Sequence, residues 1–393
     1  MKKIDTKDKK KIIIAAVIAA VVIAAVVLYA TGAFETILVK LGIIEVQQVE
    51  PESTFYEYIP KGDGDLIVLE DNLLIADQSG VSCYSVDGTW QWTKEINLSS
   101  PVFIENGKNA ILADIGGTGI YGFNKDGNQW SHVIGYEIIN VSENCINDRI
   151  IVLHSAENYL SAATLIDFSS EVKAVASRKF AEYYMMSASL SDDGKQAAIS
   201  GITQETGDIS SVIAFMNLSA YDLFTTEKIP GEFLPIVSYI NGNNLFAAGG
   251  DSLRRIYKHD DASSKGDTND LIWDRDGGSE ELVAASGAGD KYFVTVSTVA
   301  GADAGMEASC TVTIYSSSGD SEYSFTCEGG IKVGKLKGKT VILYSENEVF
   351  AYNIYGQLIG KFDGVSQISD VEFISEKVLA VSGTSKIAKV DFN

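Results

Sequence analysis

The chain has 393 residues, 46% of them hydrophobic and 10% aromatic, with 31 basic against 53 acidic side chains. That apolar content excludes a disordered chain and suffices for one large domain or two of ordinary size. Beyond the first eleven residues the balance is 25 basic to 51 acidic groups, a net of -26, and a surface that acidic repels nucleic acid and anionic lipid.

Residues 1–11, MKKIDTKDKKK, form a basic tail in which six lysines face Asp5 and Asp8. From residue 12 to 30 there are 19 positions without a charged or strongly polar group; at about 1.5 Å rise per residue such a helix crosses a bilayer core. The run outlasts the hydrophobic region of a cleaved signal peptide, and the ATGA that follows is a poor cleavage site. Lysines crowd before the span and thin out after it, which holds the N-terminus in the cytoplasm. The expectation is a single-pass signal anchor with a transmembrane helix over 12–32. An amphipathic juxtamembrane helix or linker over 33–53 ends near Pro51, and an extracytoplasmic domain occupies 54–393.

From residue 54 onward, runs of five to eight residues rich in Val, Ile, Tyr, Phe and Thr alternate with Gly, Asp, Asn and Ser turns. That is the pattern of an all-β sandwich, barrel or propeller. One element recurs: a polar turn feeding an apolar strand, as in EDNLLIAD, ENGKNAILAD, SDDGKQAAIS, INGNNLFAAG and LKGKTVILY. It places second strands near residues 73, 109, 150, 196, 245, 292, 340 and 378. The spacing between them suits four short strands per unit, the size of a propeller blade. Later in most units an aromatic residue precedes a turn Gly by four positions: Tyr84–Gly88, Phe123–Gly127, Tyr315–Gly319 and Tyr352–Gly356, with Tyr257 in a looser copy. Each reads as the turn between a third and a fourth strand, with Gly supplying the positive φ and aromatics such as Tyr84, Trp90 and Trp92 packing between blades.

After Val378 there is chain for a second and a third strand but no fourth. The unassigned strand TFYEYIP, residues 54–60, can pair outside the last blade and remove two open edges. The reading is an eight-bladed propeller closed by an N-terminal strand; seven blades follow if 142–186 and 187–235 are divided differently. In SCTVTIYSSSGDSEYSFTC a turn at Ser318-Gly319 sets Cys310 opposite Cys327, as a cross-strand disulfide requires; two buried thiols are the alternative.

At these residues a resemblance emerges. SDDGKQAAIS is similar to WD40-like propeller repeats of the TolB type, and the spacing from Tyr84 to Trp92 resembles the PQQ-like repeat of quinoprotein-type propellers. With the basic tail and single anchor, the whole chain resembles a family of membrane-anchored propeller proteins from clostridia and related Gram-positive bacteria. The resemblance implies the fold and brings no activity with it.

Catalytic signatures are thin. The adjacent cysteines and calcium ligands of a quinoprotein dehydrogenase are missing, and SVDGTW (85–90) is two residues short of a sialidase Asp box. The paired Arg254 and Arg255 point to opposite sides of a strand and make no carboxylate clamp. His132, His154 and His259 lack ligand spacing. DIGGTGIYGF, from Asp114, is a glycine-rich hairpin turn with no helix behind it. A calcium candidate remains at Asp267, Asp270, Asp274 and Asp276, although the spacing omits an EF-hand ligand. The expectation is a non-enzymatic binding, scaffold or sensor module of the cell envelope. It is tethered through 12–32, takes no cofactor and no nucleic acid, and meets a protein partner through the long insertions at 203–208, 260–270 and 299–308. The rival expectation is a hydrolase or lyase with its site in the central channel.

Overall fold

A computed structural model describes residues 48–393 apart from 63, 108, 206–207, 243, 259–266, 276–279, 289–290, 300–308, 329–330 and 332. The tail, the anchor and most of the linker expected at the N-terminus lie outside the described residues, as do Asp276 and His259. The unit that follows runs from Val49 to Asn393, so it begins five residues before the boundary read from sequence.

Every named element is a β-strand, and the strands form eight antiparallel sheets of four. The chain makes strands a, b, c and d of one sheet in sequence and then passes to the next. First strands pack on first strands around the ring, so they are innermost. Strand d alternates exposed and half-buried positions, as Trp90–Glu95 and Gln129–Val133 do, and is outermost. Second strands, buried on both faces, are near-continuous apolar runs: NLLIAD (Asn72–Asp77), TVILY (Thr340–Tyr344), VLAVSG (Val378–Gly383). All eight second strands begin within one residue of the positions that the repeat predicts. Between neighbouring blades lie apolar layers, such as Ile67, Leu74 and Cys83 against Leu112 and Phe123 for blades one and two.

The last sheet closes the ring. It holds Ile368–Phe373, Val378–Gly383 and Ile387–Asp391, and its fourth strand is Glu52–Phe55, paired antiparallel to Ile387–Asp391. The closing strand is therefore shorter and earlier than TFYEYIP; past Phe55 the chain turns inward, with Tyr56 N–H still donating to the Ile387 carbonyl. The c–d turns share one geometry. In 85–89, 124–128, 316–320 and 353–357 the first residue's N–H bonds the carbonyl four positions on, and the Gly N–H bonds the first residue's carbonyl. Gly88, Gly127, Gly319 and Gly356 all have positive φ, between 73° and 90°, and in three of the four turns a bulge follows. The turn in blade six is thus longer than two residues, yet the bulge restores the register and Cys310 faces Cys327.

Each turn glycine also touches the neighbouring blade. A Cβ on Gly127 would meet Trp92, on Gly319 Ile272, on Gly356 Phe325, and on Gly88 Tyr56. Tyr84 packs edge-on against Tyr56 and Tyr58, and Trp92 stacks on Phe123 at 6.0 Å. Trp90 departs from the expectation: it is 58% exposed, because the bulge between Cys83 and Tyr84 turns it outward while Trp92 points to the next blade.

Candidate functional site

The b–c hairpins and the blade-to-blade connections lie on one face, here called upper; a–b and c–d turns lie on the lower. Along the axis, innermost strands of blades seven, eight, one and two bring charges together. Lys335, in Val333–Lys337, donates to Asp370 at 2.9 Å and Glu372 at 3.3 Å, both in Ile368–Phe373. Asp370 also accepts the Leu66 N–H at 3.4 Å. Asp65, at the start of Asp65–Leu69, accepts the Phe103 N–H at 2.6 Å and hydrogen-bonds Asp370. A cavity of about 250 Å³ is lined by Asp65, Leu66, Ile67, Phe103, Glu105, Lys335 and Glu372.

Burial sets the protonation pattern. Burial and the neighbouring Asp370 hold the Asp65 carboxyl well above its usual range, which keeps its proton. Asp370 is buried too, but Lys335 and the Asp65 hydrogen bond outweigh burial and pull it down. Burial raises Glu372 against the pull of Lys335. For Lys335, burial is outweighed by Asp370 and Glu372, and the ammonium stays protonated. The result is one shared proton between two aspartates and one lysine serving two acids. A protonated carboxyl beside an ionised one can serve as an acid–base pair. Here, however, each of the two also accepts a backbone N–H from the next blade, so they clasp blade eight to one and one to two.

The clasp recurs around the ring. Asn140 Nδ2 donates to the Met186 carbonyl, Ser189 Oγ accepts the Tyr239 N–H, and Ser286 Oγ donates to the Gly334 carbonyl. Nearby Glu143 keeps exposed surface yet is crowded by protein. That crowding pushes its carboxyl up to about 7, against the Ser238 and Ser189 hydroxyls that pull it down.

The residues singled out from sequence do not converge here. Asp267 lies 3.6 Å from Lys258, which reaches Glu227 of blade four. Asp270 lies 3.7 Å from Arg255, which reaches the Ser318 carbonyl of blade six. Asp274 sits opposite Ser252 at the upper end of the same strand. Among the described residues no three His, Cys, Asp or Glu side chains gather as metal ligands would. Arg254 and Arg255 do part, Arg254 gripping Glu232. His154 is buried, with Nε2 2.7 Å from Thr164 Oγ1 and Nδ1 2.7 Å from the Ser155 carbonyl. Cys310 and Cys327 lie side by side across the c–d hairpin of blade six. The insertions at 203–208 and 299–308 join strands b and c, whereas 260–270 joins c and d, so their flanking strands end on opposite faces; most of their residues lie outside those described.

Sequence reasoning missed the axial charges. Their signal was present: Asp370 and Glu372 sit two apart in ISDVEF, which puts both on one face of a mostly buried strand. A second feature had no sequence signal. Exposed Tyr136, Tyr159, Leu160, Tyr184, Ile209 and Phe233 come from blade connections and b–c hairpins of blades three to five, and form an arc on the upper face. Among the described exposed large apolar residues, Trp90, Tyr221, Leu271 and Val283 lie away from that face.

Residues 56–392 match a family of unknown function, DUF5711. The chain belongs to that family. No curated protein matches it by sequence. Among solved structures it is similar to Sqt1 of Saccharomyces cerevisiae (TM-score 0.59, 11% identity, 88% of this chain and 99% of that one). It is also similar to the C-terminal WD40 domain of Sif2 (0.54, 15%, 86% and 99%). A third likeness is to the quinohemoprotein alcohol dehydrogenase ADHIIG from Pseudomonas putida HK5 (0.56, 10%, 88% and 78%). At such identities the likenesses speak for the propeller fold, which scaffolds and enzymes share.

Proposed function

We propose that this DUF5711 chain is a non-enzymatic docking module of the cell envelope, anchored in the membrane through residues 12–32, with its propeller outside the cytoplasm. The observation that carries the reading is the aromatic and aliphatic arc on the upper face. Aromatic side chains are enriched at protein interfaces, and contiguous exposed apolar surface marks interaction sites. The chain enters the propeller on the lower face, where Val49 N–H bonds the Ile359 carbonyl and Glu52 pairs with Asp391. Attachment and arc therefore occupy opposite faces. The proposed occupant of the arc is an envelope protein with an apolar contact patch. A second reading, a hydrolase or lyase acting in the channel, draws on the cavity beside protonated Asp65 and ionised Asp370.

Crosslinking the full-length protein in its native membrane separates the two. The docking reading expects one envelope protein captured reproducibly, its capture lost in Tyr159→Ser/Leu160→Ser and kept in Asp65→Asn. Capture that ignores the arc variants, or no capture at all, overturns it.

A further inference from the structure

The four cysteines divide sharply. Burial pushes the Cys83 and Cys145 thiols up to about 12, out of reach of thiolate chemistry at neutral pH. Cys310 is only 1% exposed and Cys327 only 4%, yet Cys310 moves the other way. It lies in strand c of blade six, Ser309–Ser316, directly across from Cys327 in strand d, Ser321–Glu328. The neighbouring Cys327 thiol lowers Cys310, with the Ile331 N–H and the Thr298 hydroxyl adding to the effect and burial opposing it. The Cys327 S–H donates to the Cys310 carbonyl oxygen at 3.6 Å, which holds the two side chains against each other. Directly opposed residues of an antiparallel pair have Cα atoms about 4.5–5.5 Å apart, inside the range a disulfide spans.

We propose that Cys310 and Cys327 are a redox-active dithiol that closes to a cross-strand disulfide on the outer hairpin of blade six. The oxidant is a low-molecular-weight disulfide. One of the two cysteines, as its thiolate, attacks one of its sulfurs, forming a mixed disulfide and expelling one thiolate. The other, giving up its proton, then attacks the cysteine sulfur of that mixed disulfide and expels the second thiolate. Two cysteine thiols are oxidised, one external disulfide is reduced to two thiols, and the two cysteine protons pass to them. Access comes through strand d, which pairs on one side only and can open locally from strand c. Once formed, the bond ties strand d down. The proposal does not depend on where the protein resides.

The test uses purified full-length protein, reduced and then exposed to oxidised glutathione. The expected result is loss of two of the four thiols, with the Cys310 and Cys327 peptides linked and Cys83 and Cys145 still alkylated after denaturation. In Cys310→Ser and in Cys327→Ser the remaining partner is expected to stop at a mixed disulfide with glutathione. Circular dichroism checks that both variants fold, and the wild-type linkage map stands without them. Four free thiols after oxidation, or a linkage that includes Cys83 or Cys145, overturn the proposal.

Discussion

Two tryptophans two positions apart show how a local irregularity assigns a residue's role. Trp92 stacks on Phe123 and donates its indole N–H to the Lys125 carbonyl at 2.9 Å, both in the next blade. Trp90, before the bulge, donates its indole N–H to Thr93 of its own strand. Glu143 makes the corresponding case for charge. Its carboxyl titrates near 7 rather than the ordinary 4.5, so the folded chain holds this proton more tightly than the unfolded chain. The stability it contributes is full below the unfolded value and lost as pH rises through about 7. Between about pH 5 and pH 8 the melting temperature of the wild type is expected to fall more than that of Glu143→Gln. Parallel pH dependence in the two proteins would contradict the assignment.

The c–d hairpin is the element that repeats most faithfully, and its glycine serves the turn and the blade interface together. Gly356 has φ of +82°, and a Cβ there would lie 2.4 Å from the Phe325 Cβ. Gly231 has φ of +75° with nothing within 4 Å. Gly231→Ala therefore carries backbone strain alone, about 1 kcal/mol, while Gly356→Ala adds a clash and is expected to cost about 2–3 kcal/mol. Denaturant titration of both variants tests this; equal losses would mean that the interface yields freely. This element was the most legible in the sequence, because φ sign, turn length and an aromatic four residues earlier are all local properties.

At the scale of the whole molecule, ring closure rests on pairings between residues some 300 positions apart, such as Leu66 with Asp370 and Glu52 with Asp391. Lys335 neutralises Asp370, whose exposure is 8%. Lys335→Met leaves that carboxylate unpaired, an expected loss of about 3 kcal/mol. The double variant Lys335→Met/Asp370→Asn is expected to regain part of it, since the uncompensated charge is gone. Denaturant midpoints for the cycle decide the matter; a double variant no better than the single one would rule out the charge clasp.

The sequence by itself determined the strand starts and the closing role of an N-terminal strand, and it favoured eight blades over seven. Cys310 faces Cys327 as read from it only because a bulge offsets a turn longer than two residues. The strand starts follow from the period-two alternation of strands, from turn chemistry and from the length of the repeat, all encoded within some forty residues of each other. It also exposed the acidic alternation in ISDVEF without revealing its purpose. Only the tertiary structure decided that Asp65, Asp370 and Lys335 share one clasp, that Trp90 faces water, that protein crowds the Glu143 carboxyl, and that exposed apolar side chains collect on the face opposite the chain's entry. Each of these depends on which blades become neighbours and which way a strand end points. A closed ring fixes that collectively, and no local window of sequence contains it.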